Sequence, residues 1–380
     1  MKGMKYLITW IAILLACTAA LGAAWTTKRL TYNAGRSGGP NIAANGANVY
    51  VVWIDDTPGN VEIFFNKSTD NGANWQTAKR LTNNSGASSE PVLAVYGANV
   101  YVVWYDDTPG KGEIYFRRST DNGATWHNAV RLTNNPGFSY VPQIAACGEN
   151  VYVVWSDDTP GNDEIYFRRS TNRGSTWQAA KRLTNNASDS WNPAIAVDNE
   201  NIYILYMDYT PGNWEIFFKK SMDYGGTWLS AKRLTYNTGG SSVQSRTIAA
   251  SGSNIYILWR DNTPGNCEAF FRKSTDHGAT WQNAKRLTYS PFDTYNPVIA
   301  ASGSNLYVAW MEGDSDITDV YLKKSIDSGS TWQPSQNLTN NAGTSWWPAI
   351  AVNSSRVFVT WCDDTEAPGQ AEIYLKYSPL

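Results

Sequence analysis

Short runs of β-branched and aromatic residues alternate with polar, glycine-containing turns along most of the chain, and the unit from Pro142 to Thr184 shows the pattern in full. Gln143-Ile144-Ala145-Ala146 predicts a short strand, Gly148-Glu149-Asn150 a tight turn, and Val151-Tyr152-Val153-Val154-Trp155 a strongly β-forming strand. Asp157 to Asn162 then turns the chain, because Pro160 presets φ and Gly161 permits positive φ. Glu164-Ile165-Tyr166-Phe167-Arg168-Arg169 predicts a third strand and Gln178 to Leu183 a fourth. Four antiparallel strands in about fifty residues make one propeller blade.

The strand-ending aromatics Trp53, Trp104, Trp155, Tyr206, Trp259, Trp310 and Trp361 mark seven such units. The seventh breaks off after its third strand, Glu372-Ile373-Tyr374-Leu375-Lys376, while Trp25 to Thr31 matches the fourth strand of the other units. The chain therefore predicts an all-β, seven-bladed propeller over residues 25–380. The N-terminal strand should join the C-terminal blade and close the ring, hiding the sheet edges of an open array.

A motif S-x-D-x-G-x-x-W occupies the third turn, at Ser68/Asp70/Gly72/Trp75, Ser119/Asp121/Gly123/Trp126, Ser221/Asp223/Gly225/Trp228, Ser274/Asp276/Gly278/Trp281 and Ser325/Asp327/Gly329/Trp332. Asn172 replaces the Asp in a sixth copy, Ser170/Asn172/Gly174/Trp177. Successive motif Trp residues stand 51, 51, 51, 53 and 51 positions apart. The motifs resemble the Asp-box, or BNR, repeats of the sialidase-like superfamily, over essentially the whole chain after its leader. The resemblance implies a fold marker: the carboxylate accepts backbone N–H groups inside the turn, Gly supplies positive φ, and Trp covers the hairpin.

Sialidases of that superfamily carry an Arg-Ile-Pro motif, three Arg on the substrate carboxylate, a Tyr with a Glu partner, and an Asp acid/base. No Arg-Ile-Pro occurs here. Arg80, Arg131, Arg182, Arg233 and Arg286 repeat once per blade and cannot converge on one ligand; Arg36, Arg173, Arg246, Arg260 and Arg356 break the repeat, and Arg36, Arg246 and Arg260, on or near one face, make a triad conceivable.

Residues 1–24 combine Lys2 and Lys5, an apolar run from Tyr6 to Ala16 and small residues before position 25, the layout of an export signal. Leu14-Leu15-Ala16-Cys17 also reads as a lipobox, whose Cys17 would carry a lipid anchor. The apolar run is too short to span a membrane. Without Lys2 and Lys5 the chain holds 29 basic and 33 acidic side chains and no basic cluster, which argues against nucleic acid. Cys147, Cys267 and Cys362 lie in different units, so no disulfide framework is expected, and two His residues give zinc or His-based catalysis little support.

Propeller geometry puts the blade-to-blade linkers and the second-to-third-strand turns on one face and the boxes on the other. Of eighteen Trp residues, four belong neither to the leader, nor to box positions, nor to second-strand ends: Trp191, Trp214, Trp346 and Trp347. All four fall on the linker face, with Tyr140 and Tyr295 near equivalent positions. Flat aromatic surfaces beside hydroxyl and amide groups suit sugar rings; the bland alternative is seam packing between blades. Arg246 and Arg260 complete the candidate ligand set, Arg246 standing where other blades have Pro and following a two-residue insertion.

Acids recur on this face too: Asp55, Asp106, Asp157, Asp208, Asp261 and Asp363 after the second strand, and Glu62, Glu113, Glu164, Glu215, Glu268, Asp319 and Glu372 at the third. Such rings either pair with the Lys-Arg of the fourth strand or hold Ca²⁺. Near-identical blades do not supply the two differently tuned carboxylates of a glycosidase. The sequence thus predicts an exported, non-catalytic propeller binding glycans or cell-surface polymers through its loop face. Two alternatives stay open: a sialidase-like exo-glycosidase, and a structural or protein-interaction scaffold.

Overall fold

Seven antiparallel sheets follow one another in chain order, each entered by the strand nearest the central axis and the first six left by the outermost one. The computed structural model describes residues 24–244, 246–314, 317–366 and 369–380; the leader expected over 1–24 lies outside them except for Ala24, and so does the Cys17 lipobox. Blade 3 is typical: Ser139–Cys147, Asn150–Asp157, Glu164–Ser170 and Lys181–Arg182, hydrogen-bonded in that order. Its outermost strand is two residues long where the sequence predicts six, because the segment after the box pairs with the third strand only at Tyr166 and Phe167.

The last blade is built from both chain ends. Thr26–Arg29 pairs antiparallel with Glu372–Pro379, in the register Thr26 to Tyr377 and Arg29 to Tyr374. Leu30 N–H donates to the Ile373 carbonyl at 2.7 Å, and Ile373 N–H to Thr31 Oγ1 at 2.8 Å. These bonds copy the Leu81–Ile63 and Ile63–Thr82 pair of an uninterrupted blade.

Second strands are apolar at every position from Val49 to Trp53 and are fully buried there, since each blade is covered by a neighbour on both sides. The seams have a fixed chemistry. Trp126, in the box of blade 2, packs edge-on against Phe65 of blade 1, ring centroids 5.0 Å apart. Trp177 on Phe116, Trp228 on Phe167, Trp281 on Phe218 and Trp332 on Phe271 repeat it. The box Trp thus covers the preceding blade, not merely its own hairpin. Gly123 sits at φ 76°, and a Cβ there would stand 2.5 Å from Phe65 Cζ, so glycine serves both the turn and the close approach.

Inside the box, Asp70 accepts from Asn74 N–H at 2.9 Å and from Ser68 Oγ at 2.7 Å, and these donors hold its carboxyl at about 2. Asp223 is held at about 2 by the Thr227 N–H and Ser221. Asn172 accepts the equivalent bonds from Ser170 and Thr176, which explains how blade 3 dispenses with the acid.

The acids of the opposite face divide into two structural roles. The glutamates meet the expected arginines: Arg182 reaches Glu164 at 2.6 Å and Arg233 reaches Glu215 at 2.8 Å, with both carboxylates buried. The aspartates do not pair with a base. Asp106 takes Ser88 Oγ, Trp104 Nε1 and Asn84 Nδ2 at 2.8–2.9 Å and caps the turn through Thr108 N–H at 3.0 Å. Burial alone would raise the Asp106 carboxyl, but these donors keep it below its ordinary value. Fourth-strand lysines go instead to the next blade, as Lys181 Nζ does to the Gly226 carbonyl at 2.7 Å.

Two expectations follow. Deleting Trp25–Thr31 removes the closing strand and should lower the melting temperature sharply, read by calorimetry against the full mature chain; an unchanged value refutes closure. The depressed box carboxylates contribute stability that is present above their ordinary value of 3.8 and is lost as pH falls through about 2. Melting temperature should therefore drop between about pH 4 and 2, and replacing the five box Asp residues with Asn, after the example of Asn172, should flatten that limb.

Candidate functional site

Hydrogen bonds fix which loops share a face. Asn71 N–H donates to the Ala47 carbonyl at 2.8 Å, placing box and first turn together, whereas Asp107 N–H meets the Ala87 carbonyl at 3.1 Å, joining second turn to linker. On the linker face the first strands reach the axis, and each of six carries Pro just inside its start: Pro40, Pro91, Pro142, Pro193, Pro297 and Pro348. Proline has no N–H to donate, so the ladder with the second strand breaks there, with register shifts at Gly38/Asn41, Ser89/Val92, Tyr140/Gln143 and their equivalents. The residue before Pro turns left-handed in every one of these blades: Gly39, Glu90, Val141, Asn192, Asn296 and Trp347, φ 49–58°.

Those six residues, with Arg246 (φ 60°), ring a central mouth of about 350 Å³. Left-handed Val141 and Trp347 are outliers for bulky side chains, the kind of strain that collects at functional sites. The ring also holds the greatest variety in the repeat: no side chain, an acid, a β-branched residue, two amides, a guanidinium and an indole. Trp347 is 41% exposed and lies over Gly38, where a Cβ would be 3.5 Å from its ring.

Blade 5 lacks the Pro. Its first strand is split into Ser241–Ser242 and Ile248–Ser251, and the inserted residues let Arg246 reach across the axis. The guanidinium donates to Asn41 Oδ1 of blade 1, to the Leu93 carbonyl of blade 2 at 3.1 Å and to the Ile350 carbonyl of blade 7 at 3.3 Å. Below it the channel wall is alanine, valine and isoleucine; above it lies the mouth. Loss of hydration draws Arg246 down to about 10, so it remains charged at neutral pH, and its Nε is buried with no partner. Glu90 stands on the rim, reachable by solvent and accepting Val141 N–H at 2.9 Å, yet the surrounding protein raises its carboxyl. Arg246 and Glu90 form no ion pair, so the mouth keeps one cation and one anion.

Of the other expected residues, Trp191, Trp214 and Arg260 line one cleft bordering the mouth and Tyr140 a second. Trp191 lines both the mouth and a cleft of about 380 Å³ at the blade 4–5 seam, with Trp214, Ser242, Arg260 and Asn262. The Trp191 and Trp214 rings are 6.4 Å apart, and Tyr209 meets Trp214 edge-on at 5.2 Å. Trp191 and Trp214 also pack on the core between blades 4 and 5, so the same rings plug the seam and face the cleft. Arg260 lies 5.2 Å over the Tyr295 ring, and the Tyr295 hydroxyl donates to Asp293 at 3.0 Å. Tyr140 lines the second cleft, at the blade 2–3 side, with Glu90, Phe138 and Asp158, and donates to Asp163. Burial and that carboxylate push the Tyr140 phenol well above its ordinary value.

Trp346 packs mainly into the core, with Arg36 over it at 5.9 Å. The conceivable triad is not assembled: Arg246 occupies the channel, Arg260 the blade 4–5 cleft, and Arg36 the surface of Trp346.

Glu90, Asn41, Gln143 and Tyr209 went unnoticed in the sequence reading, though the recurrent Pro inside each first strand was the signal for a bulge and hence for an axial ring. Tyr32, Tyr236 and Tyr289 also escaped it; each replaces an Asn of other blades, lies over a fourth-strand Arg at 4.5–4.6 Å, and is about three-quarters exposed. Among the described residues no group of three or more His, Cys, Asp or Glu gathers as a metal site, the three cysteines are free, and no helix is long and apolar enough to cross a membrane.

Residues 156–369 match the model of the BNR repeat-like domain. The chain belongs to that family. Curated relatives of this BNR propeller include a xyloglucanase of Acetivibrio thermocellus, 27% identical over 244 residues, covering 57% of this chain but 28% of the relative. A sialidase of Paraclostridium sordellii is 24% identical over 251 residues, covering 56% of this chain and 61% of the relative. The propeller thus spans under a third of the xyloglucanase and about three-fifths of the sialidase. Among solved structures, the phage phi92 endosialidase superposes with a TM-score of 0.57 at 12% identity, covering 94% of this chain and 69% of that one. The polysaccharide lyase Uly1 gives 0.57 at 8% identity, covering 90% of both chains. At such identities these two speak for the fold alone.

Arg246 offers a test of whether the mouth serves stability. An Arg246→Met chain keeps the length of the side chain, removes an enclosed charge that has no carboxylate partner, and frees two carbonyls that water in the channel can reach. Its stability should stay within about 1 kcal/mol of the parent, measured by denaturant melting.

Proposed function

We propose that this BNR propeller is an exported, non-catalytic glycan-binding protein whose site is the central mouth and the clefts that open from it. The observation that carries the reading is the blade 4–5 cleft, where the Trp191 and Trp214 rings stand beside Arg260, Ser242 and Asn262 and run into the mouth. Apolar ring faces suit the C–H surface of a sugar, and the neighbouring hydroxyl, amide and guanidinium groups suit its hydroxyls. The glycosidase names of the xyloglucanase and sialidase relatives point to carbohydrate as the ligand class.

Binding without hydrolysis is favoured by how the carboxylates are spent. The repeated glutamates are buried against arginines and the repeated aspartates cap turns, so neither ring is free to act on a substrate. Glu90 is the one carboxylate lining the mouth, whereas glycoside hydrolysis calls for two, about 5–10 Å apart. Export follows from the leader pattern, with the outside of the cell as the place where such a ligand is met.

A sialidase-like hydrolase is the competing reading, and one observation favours it. Tyr140 donates to Asp163 in a cleft shared with Glu90, which gathers a phenol and carboxylates at one spot. Against it, Asp163 raises the Tyr140 phenol where a nucleophile would need it lowered.

The deciding experiment is a glycan array probed with residues 25–380, with and without calcium. Specific retention, weakened at least tenfold by Trp191→Ala while the melting temperature holds within a few degrees, is the expected result. Depletion of terminal sugars from the spots would establish the hydrolase instead, and a blank array would overturn glycan binding.

A further inference from the structure

Three cavities on the linker face share residues, and the sharing has a direction. Glu90 belongs both to the Tyr140 cleft of about 320 Å³ and to the mouth of about 350 Å³; Trp191 belongs both to the mouth and to the Trp214 cleft of about 380 Å³. The three therefore follow one another as a trough of adjoining hollows, from the blade 2–3 side to the mouth above Arg246 and on to the blade 4–5 seam, with Glu90 and Trp191 at the two borders. Aromatic rings line it: Phe138 and Tyr140 at one end, Trp347 at the mouth, and Trp191 and Trp214 at the other, where Tyr209 meets Trp214 edge-on. The outermost rings, Phe138 and Tyr209, are each 44% exposed, so both ends are open to solvent.

A pocket for a terminal sugar is closed on all sides but one. This trough is open at both ends and has stacking surfaces beyond the mouth in two directions. We propose that it takes an extended oligosaccharide, several consecutive units of one polysaccharide chain threaded across the axis, and not a single terminal sugar. The inference rests on the glycan-binding reading above and adds the length and the path of the ligand. Arg246 and Arg260 then face the chain at its middle and along its exit arm, and each bears a guanidinium without a carboxylate partner.

The test compares probes of graded length. Cello-oligosaccharides and oligogalacturonates, each as disaccharide, tetrasaccharide and hexasaccharide, are titrated into residues 25–380 by calorimetry and by tryptophan fluorescence. In at least one series the hexasaccharide should bind at least tenfold tighter than the disaccharide. Tyr209→Ala and Phe138→Ala, both at exposed positions, should each remove at least a threefold part of that gain; melting curves confirm that both variants fold. Equal affinity for all lengths, a gain indifferent to both variants, or no binding of either series overturns the proposal. The first two outcomes leave glycan binding standing. The third is told apart from a failure of glycan binding itself by the array, on which retention of terminal sugars alone would identify a single-sugar site.

Discussion

The propeller depends on one recurring contact, the insertion of a box Trp into the aromatic flank of the blade before it. A four-stranded blade cannot cover both of its faces, and its second strand is apolar on both. Trp126 on Phe65, and its four counterparts, hide the third-strand ring of one blade beneath the turn of the next. Each such edge-on pair is worth about 0.5–1.5 kcal/mol beyond the area it buries. Box chemistry serves this contact: the Asp and Ser bonds hold the turn rigid, and glycine lets the turn approach the neighbouring ring. Ring closure is the same requirement applied at the ends. Trp25 packs on the core between blades 6 and 7, so the N-terminal segment brings a seam residue as well as a strand.

Much of this was legible because it repeats. Blade number, closure by Trp25 to Thr31 and the structural use of the boxes all follow from residues that recur at fixed spacing. The pairing of the acids was legible only in half. A carboxylate opening the third strand lies diagonally across from Arg on the adjacent fourth strand, two places before the aromatic that the Arg faces, within reach of a long side chain. The aspartate two places after the strand aromatic meets donors from the linker, and no local pattern announces where a linker will run. The site was less legible still. Trp191 and Trp214 stood out as aromatics the repeat did not need, but Glu90 and Asn41 looked like ordinary strand residues until the bulge at Pro turned that part of the strand toward the axis.

Fold and site place opposite demands on the same strands. At the seams every blade must present the same surface, and deviation is costly. At the axis every blade contributes one left-handed residue to the lining of a common space. That position is free to vary, and it does, from Gly39 to Trp347. The backbone strain is paid in each blade whether or not the side chain is useful, so the bulge is a scaffold property, and its chemistry is where one propeller can differ from another.

Arg246 shows how far that freedom extends. Loss of the Pro and a two-residue insertion convert a bulge into a loop long enough to carry a guanidinium across the channel to blades 1, 2 and 7. A charge in that place gains three neutral acceptors and no counter-ion, a poor exchange for stability compared with the apolar wall beneath it. The side chain does, however, place a cationic floor under the mouth where the channel would otherwise stay open. Blade-to-blade repetition would favour several equal, weak sites; one divergent loop on the axis breaks that equality, leaving a mouth bordered by Glu90 on one side and Trp191 on the other.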